Sequence, residues 1–177
     1  MRTSSDDFRN FEMRIMKILI FSDSHGDLAS MESALSVHKD AEYVFFLGDG
    51  LREFAYLRDL YPQKTFCAVR GNCDFYGEGE PLSNILCIEG YRFLLCHGHA
   101  FSVKSDLARL SCAAMEANAD VALFGHTHTP YEQYVSDADH PFYLFNPGSV
   151  SRSSDGRSHY GLVQISRSGI LFSHGTV

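Results

Sequence analysis

Aspartate, asparagine and histidine side chains follow directly on short apolar segments at five places in this 177-residue sequence. Residues 121–124, for example, lead into Gly125-His126-Thr127-His128, and two imidazoles at positions i and i+2 of an extended segment point the same way. The other four segments lead to the same residue types, namely Asp23 with His25, Asp49, Asn72 with Asp74, and His97 with His99. These side chains bind divalent cations through oxygen and nitrogen, so a metal site is the chemistry to test first.

The elements before these motifs alternate between strand and helix patterns. Apolar segments of strand length cover residues 15–21, 43–47 and 64–69. A helical spacing of apolar residues begins after Asp27, and a second, shorter helix ends before Pro62. Because buried strands separated by helices pair in parallel, their carboxyl ends should lie at one sheet edge. We therefore expect the polar motifs to meet there.

The second half of the sequence begins with a hairpin pattern. Residues 83–88 and 91–96 are strand-like and are separated only by Glu89-Gly90, which predicts a tight turn. A helix is predicted over residues 103–118, and further strands are predicted at residues 121–124, 131–135, 143–145, 160–165 and 170–173. The pattern predicts one α/β domain over residues 15–177 in which each half supplies one sheet. Residues 1–14 fit neither period and are predicted to be an N-terminal extension.

Composition excludes several classes of protein. The sequence is 45% hydrophobic and 21% charged, which is ordinary for a globular domain. A net charge of -7 argues against a protein that grips long nucleic acid, whereas bound metal ions would still allow a small phosphorylated substrate. Five cysteines without a C-x-x-C pair predict reduced thiols in the cytoplasm, and no segment predicts a membrane span. Both a monomer and a homo-oligomer stay open.

Each polar residue taken alone has an ordinary explanation. An aspartate after a strand is usually a helix cap or turn residue, and a single histidine is usually a solvated side chain. Together, unpaired carboxylates and imidazoles crowded at one sheet edge would be costly without cations between them. The predicted ligands are Asp23, His25, Asp49, Asn72, His97, His126 and His128, with His99 nearby.

The order of these motifs resembles that of the calcineurin-like metallophosphoesterases. The residues that carry the resemblance are Asp23-x-His25, Gly48-Asp49, Gly71-Asn72, His97 and Gly125-His126-Thr127-His128. The segments Asn72-Cys73-Asp74 and Asn146-Pro147-Gly148-Ser149 are similar to the small bacterial and archaeal phosphodiesterase branch of that superfamily. The resemblance extends from about Lys17 to the C-terminus. It implies a four-layer α/β/β/α sandwich with two mixed sheets and a metal site at the carboxyl ends of the strands.

The resemblance also implies two divalent metal ions. One would be bound by Asp23, His25, Asp49 and His128, and the other by Asp49, Asn72, His97 and His126, with Asp49 bridging the two. A hydroxide between such cations is available at neutral pH and is directed at phosphorus. The ligand set contains no thiolate and fits Mn²⁺, Zn²⁺, Fe²⁺ or Ni²⁺, of which we favour Mn²⁺.

We therefore expect a metal-dependent phosphodiesterase that hydrolyses a small phosphodiester, in which Asn72 and His97 serve both as ligands and in catalysis. The alternatives are a phosphomonoesterase with the same site and a non-catalytic scaffold similar to the retromer subunit of this superfamily. The complete ligand set favours an enzyme. Many members carry a histidine after the asparagine as a proton donor, whereas this chain has Cys73, whose neutral thiol is a poorer donor. Asp74, His99 and solvent are the candidate donors.

Overall fold

A computed structural model describes residues 15–75, 79–136, 139–151, 153 and 155–177. The strands are β1 Met16–Phe21, β2 Tyr43–Phe46, β3 Thr65–Ala68, β4 Ser83–Ile88, β5 Tyr91–Cys96, β6 Val121–Leu123, β7 Tyr131–Val135, β8 Phe142–Asn146, β9 His159–Ser166 and β10 Gly169–Thr176. The helices are α1 Leu28–Val37, α2 Leu51–Leu60 and α3 Ala108–Glu116, with a 3₁₀ turn at His99–Phe101. The predicted extension at residues 1–14 lies outside the described residues.

The strands form two mixed sheets of five strands each. The first sheet has the order β10-β9-β1-β2-β3, and the second has the order β4-β5-β6-β8-β7. The predicted parallel pairing of β1, β2 and β3 is confirmed, and β5, β6 and β8 are also parallel to one another. The parallel strands therefore direct their carboxyl ends toward one edge of each sheet.

Three apolar layers hold the sheets and helices together. Between the sheets, Ile18 of the first packs in one buried cluster with Phe93 of the second. Met31 of α1 and Leu57 of α2 cover the outer face of the first sheet, and Leu110 of α3 covers the outer face of the second. This arrangement confirms the α/β/β/α sandwich. No helix in the described ranges combines the length and hydropathy needed to cross a membrane.

Local signals in the first half set the helix ends as predicted. The Asp27 side chain accepts a hydrogen bond from the Ser30 N–H at 3.0 Å, which satisfies a free donor at the start of α1. The same helix buries Met31 against the first sheet. Helix α2 ends at Leu60, before Pro62, whose ring cannot continue a helix.

The expectation that each half of the chain supplies one sheet is wrong for the last two strands. Strand β9 pairs antiparallel with β1, so that Leu19 lies opposite Leu162, and β10 pairs with β9. The C-terminal strands thus complete the first sheet. A buried, apolar strand such as β1 needs hydrogen-bonded neighbours on both sides, but local periodicity does not say which later strand supplies the second neighbour.

The predicted helix over residues 103–118 is shorter than expected. It begins at Ala108, whose N–H donates to the Asp106 carboxylate at 2.9 Å. Residues 103–105 form turns that follow Ser102, whose φ of 58° is left-handed, and are not part of the helix. The apolar periodicity at Val103 instead reflects its burial in the core under the second sheet.

Candidate metal centre

All seven predicted ligands lie in turns that directly follow parallel strands. Those after β1, β2 and β3 belong to the first sheet, and those after β5 and β6 belong to the second. Because the sheets pack face to face with these strand ends on the same side, the seven side chains meet in one cluster: Asp23, His25, Asp49, Asn72, His97, His126 and His128.

Asp23, His25 and His128 form the first group of this cluster. Oδ1 of Asp23 lies 3.0 Å from Nε2 of His128 and 3.8 Å from Nε2 of His25. Asp23 is fully buried, and its Oδ1 lacks a hydrogen bond, whereas Oδ2 accepts hydrogen bonds from the Ser22 hydroxyl and the His126 N–H. A buried carboxylate oxygen without a donor is costly, and a cation between these three side chains would satisfy it. The residues present therefore fit a metal ion.

Asp49, His97 and His126 form the second group, beside Asn72. Nε2 of His97 lies 3.4 Å from Oδ2 of Asp49, 3.1 Å from Oδ1 of Asn72 and 3.1 Å from Nδ1 of His126. The other ring nitrogen of His97 lies 2.7 Å from the Leu47 carbonyl oxygen. A carbonyl only accepts, so Nδ1 carries the hydrogen when the ring is neutral and the Nε2 lone pair faces the cluster. That is the tautomer a metal ligand requires.

Neighbouring charges shift the pKa values within the cluster. Burial alone would raise the pKa of Asp49, but the His97 imidazole and the Cys73 N–H outweigh it and lower that pKa. Burial alone would lower the pKa of His97, yet the carboxylates of Asp49 and Asp23 raise it. Burial and the charge of His97 together lower the pKa of His126 to about 4. Ionised carboxylates and a neutral His126 suit metal binding, whereas the raised pKa of His97 means that a cation competes with a proton for this ring.

Backbone strain is concentrated at the same positions. Five of the predicted ligands have φ between 43° and 67°, a region that residues other than glycine seldom adopt. Strain of this kind costs roughly 1–3 kcal/mol per residue and persists only where the surrounding structure holds it. The five are Asp23, His25, Asp49, His126 and His128.

Two glycines allow the turns to approach closely. A Cβ on Gly71 would lie 2.1 Å from Oδ1 of Asp49, and a Cβ on Gly125 would lie 1.9 Å from the Ser22 hydroxyl oxygen. Neither distance is compatible with a side chain. The Gly-Asn and Gly-His pairs in the sequence thus reflect the packing of one ligand turn on another.

The sequence pattern predicted no supporting role for the polar residues at the end of β8 and in the turn that follows it. Asn146 is fully buried, and its Nδ2 donates to the Gly125 carbonyl at 2.9 Å and to the Thr127 hydroxyl at 3.1 Å. The Ser149 hydroxyl donates to the Asp23 carbonyl at 2.9 Å. These bonds brace two ligand turns. The signal was available, because Asn146 ends the apolar parallel strand β8 and Ser149 follows it.

The candidate proton donors lie beside the cluster in different environments. The carboxylate oxygens of Asp74 accept hydrogen bonds from four backbone N–H groups, so both oxygens are already engaged within the protein. The His99 ring centroid lies 5.4 Å from that of His97, and burial with the charge of His97 lowers its pKa. Desolvation and the Asp49 carboxylate raise the pKa of the Cys73 thiol to about 11.

Comparison with known proteins identifies the family. The sequence profile of the calcineurin-like phosphoesterase superfamily domain matches residues 16–168. The chain belongs to this superfamily. A probable metallophosphoesterase of Methanothermobacter thermautotrophicus is 34% identical over 146 residues, covering 79% of this chain and 81% of the relative. Phosphodiesterase YfcE of Escherichia coli K12 is 31% identical over 173 residues, covering 84% of this chain and 88% of the relative.

Solved structures agree with the fold. A predicted phosphoesterase from Streptococcus pneumoniae TIGR4 superposes with a TM-score of 0.72 at 25% identity, covering 93% of this chain and 99% of that one. Vacuolar Protein Sorting 29 from Cryptosporidium parvum superposes with a TM-score of 0.69 at 15% identity, covering 92% and 98%. At that identity the second likeness concerns the fold alone. This chain is therefore a metallophosphoesterase-superfamily protein, a family whose members bind divalent metal ions.

Proposed function

We propose that this protein is a metal-dependent phosphodiesterase that hydrolyses a small phosphodiester with the help of two divalent cations. The observation that supports two cations is that the predicted ligands form two groups. Within each group, the donor atoms lie within 4.8 Å of one another. Asp23, His25 and His128 form one group, and Asp49 and His97 with His126 form the other. Asp49 also groups with His25 and Cys73, as a carboxylate that bridges two cations would.

The chain's own residues would hold and orient the reacting groups. Bound cations supply an activated water and stabilise charge that develops on the phosphate oxygens. Asn72 presents Oδ1 to the cluster next to His97, and its Nδ2 points toward the Cys73 sulfur at 3.2 Å. In this position the Asn72 amide would bind a cation through oxygen and donate to a phosphate oxygen through nitrogen.

Mn²⁺ is the activator we propose, with Zn²⁺, Fe²⁺ and Ni²⁺ as the other metals that the ligands suit. The two groups offer carboxylate, amide and imidazole donors, which are hard to borderline ligands. Cys73 lies beside them, but with a pKa of about 11 its thiol is protonated at neutral pH. A protonated thiol gives little preference for soft metals.

A cavity next to the ligands supports a small substrate. It has a volume of about 610 Å³ and is lined by His25, Asp49 and Cys73 on the side of the cluster and by Phe75 and Glu80 farther out. The Phe75 side chain is 84% exposed, so its ring is free to stack on an aromatic substituent of the diester. Volumes of this size accommodate metabolite-sized ligands.

The leaving oxygen would receive its proton from solvent. Cys73 has a raised pKa, and Asp74 already accepts four backbone N–H groups. His99, whose pKa is lowered, would contribute a hydrogen bond from a neutral ring rather than a proton from an imidazolium. Diesters with acidic leaving groups should therefore react fastest.

Domain limits and location complete the proposal. Residues 15–177 would act as one catalytic domain and residues 1–14 as an extension outside it. All five cysteines are free thiols, which is consistent with a reducing compartment, and we place the enzyme in the cytoplasm.

A non-catalytic scaffold would not need a complete ligand set, and the closely spaced ligands here favour an enzyme.

The test uses protein stripped of metal by a chelator and then reconstituted with one cation at a time. Bis(p-nitrophenyl) phosphate and p-nitrophenyl phosphate compare a diester with a monoester that has the same leaving group. We expect activity to return with Mn²⁺ and the diester to react faster. Asp49→Asn should lower the rate by about 10³–10⁴-fold, the scale of losing a central active-site group, and leave the circular dichroism spectrum unchanged. Full activity of the stripped protein would contradict the metal mechanism, and a faster monoester would contradict the diester preference.

A further inference from the structure

We propose that Asp74 is a positioning residue that joins the turn after β2 to the turn after β3 and thereby holds Asp49 and Asn72 in place for metal binding. The proposal rests on the proposed metal centre, because it acts through two of its ligands. It assigns Asp74 a role other than proton transfer.

The Asp74 carboxylate is saturated by backbone donors from both turns. Oδ1 accepts the N–H groups of Gly50 at 2.8 Å and Leu51 at 2.9 Å. Oδ2 accepts the N–H groups of Asp49 at 2.7 Å and Gly71 at 2.8 Å. Hydrogen bonds of this length to an ionised acceptor are stronger than neutral ones. One side chain therefore fixes the backbone on both sides of the bridging ligand.

A further hydrogen bond between the two turns runs in the opposite direction. The Cys73 N–H donates to Oδ1 of Asp49 at 2.7 Å, so each turn supplies a carboxylate to the other turn's backbone. Asp49 has a φ of 62°, which needs external support. One of the four N–H groups that Asp74 accepts is that of Asp49 itself, and Asn72 lies two residues before Asp74 in the same turn.

Asp74 also completes the start of helix α2. Gly50 is the N-cap and has no side chain with which to satisfy the first free N–H groups, two of which Asp74 accepts. A carboxylate at this end is favoured by the helix dipole. Loss of Asp74 must therefore lower stability to some extent, and the test has to separate that loss from an effect on metal binding.

Asparagine at this position is the sharpest variant. An amide has the size of the carboxylate but presents one acceptor oxygen, so its NH₂ group would face two of the four N–H donors. We expect Asp74→Asn to fold and to raise the dissociation constant for Mn²⁺ by about 10–100-fold, which is typical for the loss of a group that orients metal ligands. Isothermal titration of the metal-free protein measures that constant without reference to catalysis.

Asp120→Asn is the matched control. Its carboxylate accepts the Arg92 N–H at 2.7 Å, a comparable bond, but Asp120 directly precedes β6 and Arg92 lies at the start of β5, at the strand ends opposite to the ligands. We expect this variant to lower the melting temperature of the metal-free protein and to bind Mn²⁺ as the wild type does. Asp74→Glu, which keeps the charge and both acceptor oxygens, should bind Mn²⁺ with an affinity between those of the wild type and Asp74→Asn. It also serves as the test if the asparagine variant fails to fold.

The outcomes separate this proposal from the proposed function. If Asp49→Asn loses Mn²⁺ binding while Asp74→Asn and Asp74→Glu bind Mn²⁺ with wild-type affinity and only melt earlier, Asp74 is merely structural and the inference is wrong. If Asp49→Asn itself binds Mn²⁺ like the wild type, the proposed centre is wrong, and the inference falls with it.

Discussion

The two groups of potential ligands differ in how firmly the protein holds them. In the group of Asp49, His97 and His126, the His97 side chain is fully buried, and its second ring nitrogen is bonded to a main-chain carbonyl. In the group of Asp23, His25 and His128, the carboxylate is equally buried, but the two imidazoles are 35% and 37% exposed. The Asp49 group thus contains an imidazole fixed in the core beside the half-buried His126, whereas both imidazoles of the Asp23 group reach the protein surface.

The difference in burial between the two groups should affect how tightly each binds a metal ion. A ligand fixed by packing loses little conformational entropy when a cation arrives, whereas an exposed imidazole must be immobilised. The His25 and His128 rings contact each other, with Nε2 atoms 3.4 Å apart. We therefore expect the buried group to bind its cation more tightly and the exposed group to exchange its cation with solvent.

Removing one histidine from each group tests this comparison with the largest expected effect. His97→Ala should abolish tight binding of one Mn²⁺, because it removes a preoriented ligand and leaves Asp49 without its neighbour. His25→Ala should weaken binding of one Mn²⁺ by about 10–100-fold while the other site stays occupied. Metal content after dialysis and titration calorimetry measure both changes. Equal losses of Mn²⁺ affinity in the two variants would show that burial does not determine which site binds its cation more tightly.

The sequence alone predicted which side chains meet, but it did not predict which of the two groups is more buried and should bind its cation more tightly. All seven predicted ligands directly follow apolar strands, so the rule that parallel strands end at one edge predicted that their side chains would meet. The β4–β5 hairpin was predicted to the residue, since Glu89 and Gly90 have the positive φ values of 48° and 85° that a two-residue turn requires. Burial of His97 and exposure of His25 depend on which loops cover the edge, and local pattern carries no information about that.

Long-range contacts were also missed for a physical reason. Asp74 contacts the turn after β2, and Asn146 contacts the turn after β6, so neither partner is near in sequence. The pairing of β9 with β1 is non-local in the same way. Periodicity reports which face of an element is buried and leaves open what buries it. The residues that support the site are therefore apparent only in the tertiary structure.

Acidification gives a test of intermediate size. Because Asp49 and Asp23 raise the pKa of His97 above the ordinary value of 6.5, this imidazole is protonated at a higher pH than a free one. Binding to the Asp49 group requires the neutral form of His97, so the Mn²⁺ affinity of this group should fall by about tenfold per pH unit below that raised pKa. His126, with a pKa of about 4, adds nothing until much lower pH.

This expectation differs from the steeper loss of affinity below pH 6.5 that would follow if the four predicted ligand histidines were protonated together. Titration calorimetry between about pH 5 and pH 8 measures the slope of log affinity against pH. If log affinity falls with a slope near one, starting above pH 6.5, protonation of His97 controls Mn²⁺ binding. A slope of two or more confined below 6.5 would show that the cluster protonates as a unit.

The smallest expected effect belongs to Cys73, which lies within ligand distance of His25 and Asp49 on the open side of the cluster. Its thiol has a pKa of about 11, so at neutral pH it is neither a thiolate ligand nor an effective proton donor. Cys73→Ser should therefore change Mn²⁺ affinity and diester hydrolysis by no more than about twofold, the scale of an ordinary surface substitution.

The dependence of the hydrolysis rate on the leaving group tests whether Cys73 takes part in proton transfer. The slope of log rate against leaving-group pKa, measured over a series of aryl and alkyl diesters, should be steep in the wild type and equal in Cys73→Ser, because neither side chain protonates the leaving oxygen. A slope that steepens in the serine variant would make Cys73 the proton donor. A loss of Mn²⁺ affinity instead would make it a ligand. The exposed group would then contain a fourth donor, and the contrast between a preset site and an exchangeable one would disappear.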